Sequence, residues 1–183
     1  MADYSWFRQP VSEGLKVRQV YGIAFSNDER AILRIEDGQY KLTGGKPEKG
    51  ETFEQTLTRE YIEELNIELD NIHYLGYFFV QENNEEYAQV RMIAKIKSIN
   101  ENCPDPATGK TYGRELVEID KIKDFLNYPD KAGNTMIDDA IRMANLYLLT
   151  WIEMMWNAFI LKKNNLRYQA KYSTIKRLGD FVW

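Results

Sequence analysis

The sequence predicts a layered α/β (α+β) domain with a mixed β-sheet. Two observations predict it: stretches rich in β-branched and aromatic residues alternate with amphipathic helical patterns, and several extended stretches are joined by short polar turns. Short turns join antiparallel strands, whereas strands separated by a helix can be parallel, so we expect both kinds of pairing. With 183 residues and 44% hydrophobic content, the chain is long enough for one domain with its own core.

The first extended stretches predict a hairpin. Residues 16–26 and the segment "RAILRIED" have strand composition, and the turn signal "SNDE" separates them. "GQYKLT" is a third short extended piece, and it ends at the pair Gly44 and Gly45. A helix is predicted to follow.

Later segments predict a second hairpin and two more helices. "NIHYLGYFFVQE" and "EYAQVRMIAKIKSI" flank the polar turn "NNE", and "NENCPDPATGKTYG" has the Pro, Gly, Asn and Asp content of a loop. The strand "RELVEI", a short helix around "DKIKDFL" and the loop "NYPDKAGN" follow. A long helix is expected over about 135–163.

The helix after the glycine pair carries an excess of glutamates. Thr52 and Gln55 match a capping box, in which both side chains satisfy free amides of the first turn. Asn66 tolerates the left-handed conformation common at helix ends, so we expect the helix between these caps. Its apolar stripe consists of Phe53, Leu57, Tyr61 and Leu65.

Three glutamates, Glu60, Glu63 and Glu64, lie beside this stripe. Like charges four residues apart destabilise a helix, and burial of an unpaired carboxylate costs more. Arg59 is one cation against three anions, and Glu51 adds another carboxylate near the same end. Since Mg²⁺ prefers carboxylate oxygens and shares its other positions with water and substrate phosphates, we expect a divalent ion here.

The joint spacing of these residues resembles the Nudix box, and the match extends from Gly45 to Ile67. Two positions depart from the usual pattern. Tyr61 stands where a smaller aliphatic residue is usual, and Asn66 stands where glycine is usual. Neither departure removes a ligand. The positions that carry the resemblance are Gly45, Glu51, Arg59, Glu60, Glu63 and Glu64.

The resemblance implies the Nudix fold, an α/β/α sandwich with a mixed sheet between helices, over a domain at 1–149. Nudix proteins typically use Mg²⁺ or Mn²⁺ to cleave a nucleoside diphosphate linked to another moiety. By resemblance, Glu60, Glu63 and Glu64 are the metal ligands, Gly45 shapes the loop at the metal, and Arg59 orients the glutamates. Glu51 supports the site. The catalytic set is therefore expected to be Glu60, Glu63 and Arg59.

The general base and the substrate contacts stay open at this level. We favour Glu60 or Glu63 as the base, since in this family the base is either a glutamate of the box or a later carboxylate. The later candidates are Glu82, Glu85, Glu86 and Glu115. Candidate substrate contacts are Lys46, Arg18 and Tyr40, with Arg34 and Lys41 as further cations.

Composition and charge indicate which binding partners and which cellular compartment to expect. The net charge of −4 argues against a partner held by bulk positive charge, such as non-specifically bound duplex DNA, so a nucleic-acid partner is not expected. The partner that the resemblance implies is a small nucleoside diphosphate derivative. The single cysteine, Cys103, excludes an intrachain disulfide and favours a reducing cytoplasm. No signal-peptide pattern opens the chain, so we expect no export. The apolar segment 144–160 carries a polar stripe, so we expect a buried or interface helix instead of a membrane span.

Residues 150–183 are expected to form a helical and basic extension. The last part, 161–183, carries six lysines and arginines against one aspartate, interleaved with aromatic residues. We expect it to pack on the domain or to contribute to a homodimer interface through the C-terminal helix.

Three other functions remain open at the sequence level. A non-catalytic nucleotide-sensing module would not need the crowded carboxylates, whereas a nucleoside triphosphate pyrophosphatase would use the same residues. An isomerase of isoprenoid diphosphates on this scaffold would need a reactive cysteine near the site, and Cys103 lies in a predicted loop.

Overall fold

The computed structural model describes residues 2–146. The chain divides into two compact units after Ala144. The first unit contains the β-sheet and the helices named α1 and α2 below. The predicted helix over 135–163 therefore lies partly outside the described residues, and the extension at 150–183 lies wholly outside them. Within the described part, no helix is long and apolar enough to cross a membrane.

From residue 17 onward, the described part contains strands and helices in the predicted order. The strands are β1 (Asp3–Phe7), β2 (Val17–Phe25), β3 (Arg30–Glu36), β4 (Gln39–Lys41), β5 (Thr43–Gly45), β6 (Ile67–Glu82), β7 (Glu85–Ile99) and β8 (Gly113–Glu118). The helices are α1 (Phe53–Leu65) and α2 (Ile122–Leu126), which follows a 3₁₀ turn at Ile119–Lys121. Residues 131–146 are also helical and are called α3.

These strands form one mixed sheet, as the sequence predicts. The order is β1-β6-β7-β2-β3-β4, with β5 paired to β2 and β8 paired to β3. β2 runs parallel to β7, and the other pairs are antiparallel. The parallel pair places the two hairpins side by side, because β2 of the first hairpin lies next to β7 of the second.

Helices cover both faces of the sheet. On one face, Leu57, Tyr61 and Leu65 of α1 pack into an apolar cluster with Val20 and Ile32 of the sheet. On the other face, residues of α2 and α3 pack against a second cluster. The members of the second cluster from these helices are Ile122, Met136, Ile137, Ala140 and Ala144. The predicted α/β/α sandwich is therefore confirmed.

Three differences from the prediction concern the strand β1 and the starting residues of β6 and α3. β1 was missed, because Asp3–Phe7 is identified as a strand only by its pairing with β6 at the edge of the sheet. β6 begins at Ile67, directly after the cap of α1, four residues before the predicted start. α3 begins at residue 131, inside the segment predicted as a loop, where Gly133 N–H donates to Asp130 Oδ1 at 2.6 Å.

The caps of α1 are confirmed. Gln55 N–H donates to Thr52 Oγ1 at 3.2 Å, and Thr52 N–H donates to Gln55 Oε1 at 2.8 Å. Asn66 ends the helix in the left-handed conformation with φ of 49°. Together the caps determine where the helix that carries the glutamates begins and ends.

Asp139 of α3 joins the N-terminal strand to the helix. Its carboxylate is 4% exposed and accepts hydrogen bonds from Trp6 Nε1 at 2.9 Å and Arg8 Nε at 2.6 Å. Arg142 Nη2 donates to the same carboxylate at 2.7 Å. This buried carboxylate therefore accepts hydrogen bonds from three side chains, those of Trp6, Arg8 and Arg142.

Replacement of Asp139 by asparagine is expected to lower the free energy of unfolding by about 2 kcal/mol, because the buried network loses its negative charge and one of its two acceptor oxygens. Asp138 is the matched control, since its side chain is 63% exposed and pairs only with Lys123. Asp138→Asn should change stability by less than about 0.5 kcal/mol. Urea unfolding of both variants measures the difference, and equal effects would contradict this role of Asp139.

Candidate active site

The glutamates of α1 lie beside a firmly anchored core stripe. Leu57, Tyr61 and Leu65 are fully buried. The Tyr61 hydroxyl donates to the carbonyl of Gly22 on β2 at 3.0 Å, so the unusual tyrosine of the box leaves no buried polar group unpaired. Because this stripe fixes the rotation of the helix, residues 59, 60 and 63 face the loop that follows β5.

Arg59 gathers the carboxylates of the box. Its Nε donates to Glu51 Oε1 at 2.8 Å, and its Nη1 donates to Glu60 Oε1 at 2.8 Å and Glu63 Oε2 at 3.1 Å. Its Nη2 donates to the carbonyl of Lys46 at 3.2 Å. We call this set the Arg59 cluster: Arg59, Glu51, Glu60, Glu63 and the carbonyl of Lys46.

Glu51 accepts hydrogen bonds from Arg59 through both of its carboxylate oxygens. Besides Arg59, it accepts from the backbone N–H of Glu48 at 2.8 Å and from the hydroxyl of Thr56 at 2.9 Å. Arg59 and these donors lower the pKa of Glu51 to about 2. Glu51 is therefore an anion at neutral pH that holds Arg59 against the loop.

Glu60 lies directly on the backbone of Gly45. A β-carbon at position 45 would stand 2.3 Å from Glu60 Oε1, so only glycine leaves room for this carboxylate. Burial raises the pKa of Glu60, although the hydrogen bond from Arg59 opposes this shift. The negative charges of Glu63 and Asp105 contribute in the same direction as burial. The carboxylate is thus held close to other anions in a partly desolvated position.

Glu64 has a different cation. It is buried, forms an ion pair with Arg34 of β3, and accepts from the N–H of Gly44 at 3.4 Å. The side chain of Arg34 is 11% exposed and also reaches Glu36 at 3.4 Å. The sequence argument that Arg59 is the one cation for three glutamates was therefore incomplete, since Arg34 neutralises the third.

The donor set of the Arg59 cluster fits a hard divalent ion with an incomplete protein shell. Glu60 and Glu63 bind the same Nη1, so their carboxylates lie close together, and each keeps a second oxygen that Arg59 does not bind. Within residues 2–146, no group of three acidic, histidine or cysteine side chains is arranged to hold a metal ion. Mg²⁺ commonly takes only one or two protein carboxylates and fills its shell with water and phosphate oxygens, so the residues present suit it.

The proposed substrate contacts have other partners in this structure. Arg18 pairs with Glu85 and lies over the ring of Tyr87, whereas the Tyr40 hydroxyl donates to Glu115 at 2.6 Å. Lys46 has an exposed side chain, and its carbonyl belongs to the Arg59 cluster. Of the three, only Lys46 is thus brought to the cluster by a contact.

The later candidates for the general base are also engaged. Glu85 and Glu115 take the partners just named, Glu82 accepts from the Tyr87 hydroxyl at 3.1 Å, and Glu86 accepts from Gln81 Nε2 at 2.8 Å. None of these contacts involves a member of the Arg59 cluster. Of the candidates for the base, Glu60 and Glu63 are the two that belong to the Arg59 cluster.

Two residues near the site were not recognised from the sequence in these roles. Asp105 of the β7–β8 loop is buried and accepts from the N–H groups of Ala107 and Thr108, at 2.7 Å and 2.8 Å. Its signal is the turn-forming "DPATGK" segment, which predicts a loop but not its position near Glu60. Arg34 was considered only as a surface charge or phosphate contact, because its pairing with Glu64 spans 30 residues of sequence.

Comparison with solved structures supports the fold. A Bacillus subtilis pyrophosphohydrolase, BsRppH in an E68A mutant, is 22% identical, with 75% of this chain and 88% of that chain covered at a TM-score of 0.58. A MutT structure from a study of Aliivibrio salmonicida and Vibrio cholerae is 18% identical, with 69% and 96% covered at 0.51. A NUDIX hydrolase from Nitrosomonas europaea is 17% identical, with 68% and 87% covered at 0.53.

The family assignment comes from the sequence itself. No curated protein matches the chain. The family model described as the NUDIX domain matches residues 16–135, which include β2 to α2 and every member of the Arg59 cluster. The chain therefore belongs to the NUDIX family.

Proposed function

We propose that this protein is a Mg²⁺-dependent hydrolase that cleaves the diphosphate bond of a nucleoside diphosphate linked to another moiety. Mn²⁺ would serve in place of Mg²⁺. The observation that carries the proposal is the Arg59 cluster, in which one guanidinium holds Glu51, Glu60 and Glu63 beside the backbone of Gly45. The pyrophosphohydrolase named among the similar structures supports it.

The ion would be held by Glu60 and Glu63, with Glu64 and the loop at Gly45 completing the set. A bound divalent ion supplies Lewis-acid polarisation of the phosphate oxygens and lowers the pKa of water. Arg59 binds both carboxylates through one Nη1, so it holds them next to each other and limits their movement. Lys46, an exposed cation whose carbonyl accepts from Arg59, would meet the phosphates, and Arg18 and Tyr40 are proposed as further substrate contacts.

One carboxylate oxygen must accept the proton of the attacking water. We propose Glu63 Oε1 or Glu60 Oε2, because Arg59 binds the other oxygen of each residue. Glu64 is less suited to this task, since the ion pair with Arg34 and the N–H of Gly44 oppose its protonation, while each oxygen keeps a second lone pair that can bind the ion. The proton would leave with the released phosphate or pass to solvent.

Three further proposals concern the domain boundary, the C-terminal extension and the cellular compartment. The domain would end near residue 149, and 150–183 would pack on it or join two copies in a homodimer. The enzyme would work in the cytoplasm.

The function is tested by incubation of the purified chain with a panel of nucleoside diphosphate derivatives and nucleoside triphosphates, with Mg²⁺, Mn²⁺ or EDTA. Release of a nucleotide and phosphate product that stops in EDTA supports the proposal. Binding of a nucleotide without cleavage of any compound would support the sensing module instead. Cleavage restricted to triphosphates would favour the nucleoside triphosphate pyrophosphatase.

A further inference from the structure

The carboxyl end of α1 carries negative charge without a cation of its own. Glu63 and Glu64 stand in its last turn, and that turn contains no basic residue. The last carbonyls of a helix have no partner within the helix, and they form the negative end of the helix dipole. Two carboxylates at this end are therefore in an unfavourable potential unless another element supplies cations.

The sheet supplies these cations from neighbouring strands. Ile32 of β3 packs with α1, and Arg34, two residues further along, lies on the same face of the sheet. Arg114 of β8 is directly opposite Arg34 in the register, so its side chain lies on that face as well. Arg34 forms the ion pair with Glu64. Arg114 is thus a second cation on the face that carries the last turn of α1.

Arg114 binds the end of α1 through the backbone. Its Nη1 donates to the carbonyl of Leu65, the last residue of the helix. Its Nη2 donates at 2.5 Å to the carbonyl of Asn100, which follows β7 directly. A cation at this position also interacts favourably with the helix dipole. One planar guanidinium therefore joins the end of the helix to the end of a strand.

Asn66 adds a second connection at the same place. Its Nδ2 donates to the carbonyl of Glu101 at 2.7 Å, and its own carbonyl accepts from the N–H of Asn100 at 3.1 Å. A glycine at position 66, the usual residue of the box, would lack the side-chain bond. The start of the β7–β8 loop is therefore tied to the end of α1 on both sides of the peptide bond after Leu65.

These contacts act on the turn that carries two of the three expected metal ligands. Helix ends fray more readily than helix interiors. Leu65 follows Glu64 directly, so a displacement of the Leu65 carbonyl moves the backbone of Glu64 with it. The capping box at Thr52 stabilises the opposite end of the helix and does not restrain this turn.

We propose that Arg114 is a positioning residue of the active site, which prevents fraying of the last turn of α1 and thereby holds Glu63 and Glu64 where they bind the divalent ion. The inference rests on the proposed function, because it names a residue that supports the same metal site. Arg114 donates to backbone carbonyls and acts on the ion only through α1.

Mn²⁺ affinity, measured by electron paramagnetic resonance without substrate, tests this role. Arg114→Met keeps the length of the side chain but removes its charge and its donors, so it should weaken Mn²⁺ binding about tenfold. Arg114→Lys keeps the charge and one donor group, so its affinity should lie between those of Arg114→Met and wild type. At saturating Mg²⁺, kcat of Arg114→Met should fall about tenfold while KM changes by less than about twofold, because the ligands are displaced but the proposed substrate contacts are not.

Two controls separate positioning from a general loss of stability. Asp139→Asn is expected to destabilise the protein from the other face of the sheet, so it should leave Mn²⁺ affinity and kcat within about twofold of wild type. Arg30→Met removes an arginine of β3 whose exposed ion pair is with Asp28, and it should change neither quantity. The unfolding temperature of each variant is recorded, and all binding is measured well below it.

Unchanged Mn²⁺ affinity in Arg114→Met, or an equal loss in Asp139→Asn, would overturn the inference and leave the proposed hydrolysis intact. If Arg114→Met does not fold, Arg114→Lys decides, since weaker binding supports the inference and wild-type binding overturns it. If wild type binds Mn²⁺ but cleaves no compound, the hydrolysis fails, and weaker binding in the Arg114 variants alone would uphold the positioning role. Absence of Mn²⁺ binding to wild type would refute both.

Discussion

Glu63→Gln is expected to lower kcat by about a hundredfold or more while the protein stays folded. Glu63 is the most exposed glutamate of the Arg59 cluster, with 30% of its side chain accessible, and its ion pair is with Arg59 alone. Glutamine keeps the size and an acceptor oxygen but neither binds a cation well nor accepts a proton near neutral pH. The loss should therefore appear in catalysis and not in stability. Steady-state kinetics with the compound cleaved best by wild type measures it, with the unfolding temperature recorded in parallel.

The matched control for this prediction is Glu54→Gln. Glu54 lies in the first turn of the same helix, is exposed, and has no side-chain contact with the Arg59 cluster. Its replacement should leave kcat within about twofold of wild type, since only a weak interaction with the helix dipole changes. If both variants lose activity equally, the effect is one of general surface charge. If Glu63→Gln retains full activity, Glu63 is neither a ligand nor the base.

Gly45→Ala is expected to lower kcat by about a hundredfold, because the new β-carbon would occupy the position of Glu60 Oε1, 2.3 Å away. The Glu60 carboxylate is the end of a flexible side chain, so it can move aside, and the backbone of Gly45 needs no left-handed conformation. Displacement of a catalytic group by about 1 Å is enough for such a loss. The free energy of unfolding should change by less than about 1 kcal/mol.

Gly44→Ala is the contrasting variant. Gly44 has φ of +146°, and a β-carbon there would stand 2.2 Å from the backbone oxygen of Val20. Since a backbone atom of the central strand cannot yield, this variant should lose at least about 2 kcal/mol of stability. Urea unfolding and kinetics of both variants check the pair. A Gly45→Ala enzyme with wild-type kcat would contradict the placement of Glu60 on Gly45.

Local patterns in the sequence predicted the parts of the fold that local forces determine. The caps at Thr52 and Asn66 were predicted because a capping box and a left-handed asparagine act over only a few residues. The hairpins were predicted from turn residues and alternating composition. The mixed character of the sheet followed from the order of these elements, whereas the parallel pairing of β2 with β7 was left open.

Long-range partners were not predictable in the same way. β1 depends on pairing with β6, about 70 residues later, and "DYSWF" has no turn signal to mark it. The pairing of Arg34 with Glu64 and the burial of Arg91 depend on which strands become neighbours. The box motif located Glu60, Glu63 and Arg59 because its spacing encodes one helix face, but it carries no information about the cation opposite Glu64.

Direct measurement of metal binding tests the central claim, that carboxylates held by Arg59 bind the divalent ion used in diphosphate cleavage. Mn²⁺ titration followed by electron paramagnetic resonance, with and without inorganic pyrophosphate, would be carried out on wild type, Glu60→Gln/Glu63→Gln and Glu54→Gln. We expect wild type and Glu54→Gln to bind Mn²⁺ more tightly with pyrophosphate present, and the double variant to lose at least about tenfold in affinity. Equal Mn²⁺ affinity in all three proteins, or no binding to wild type, would contradict the account.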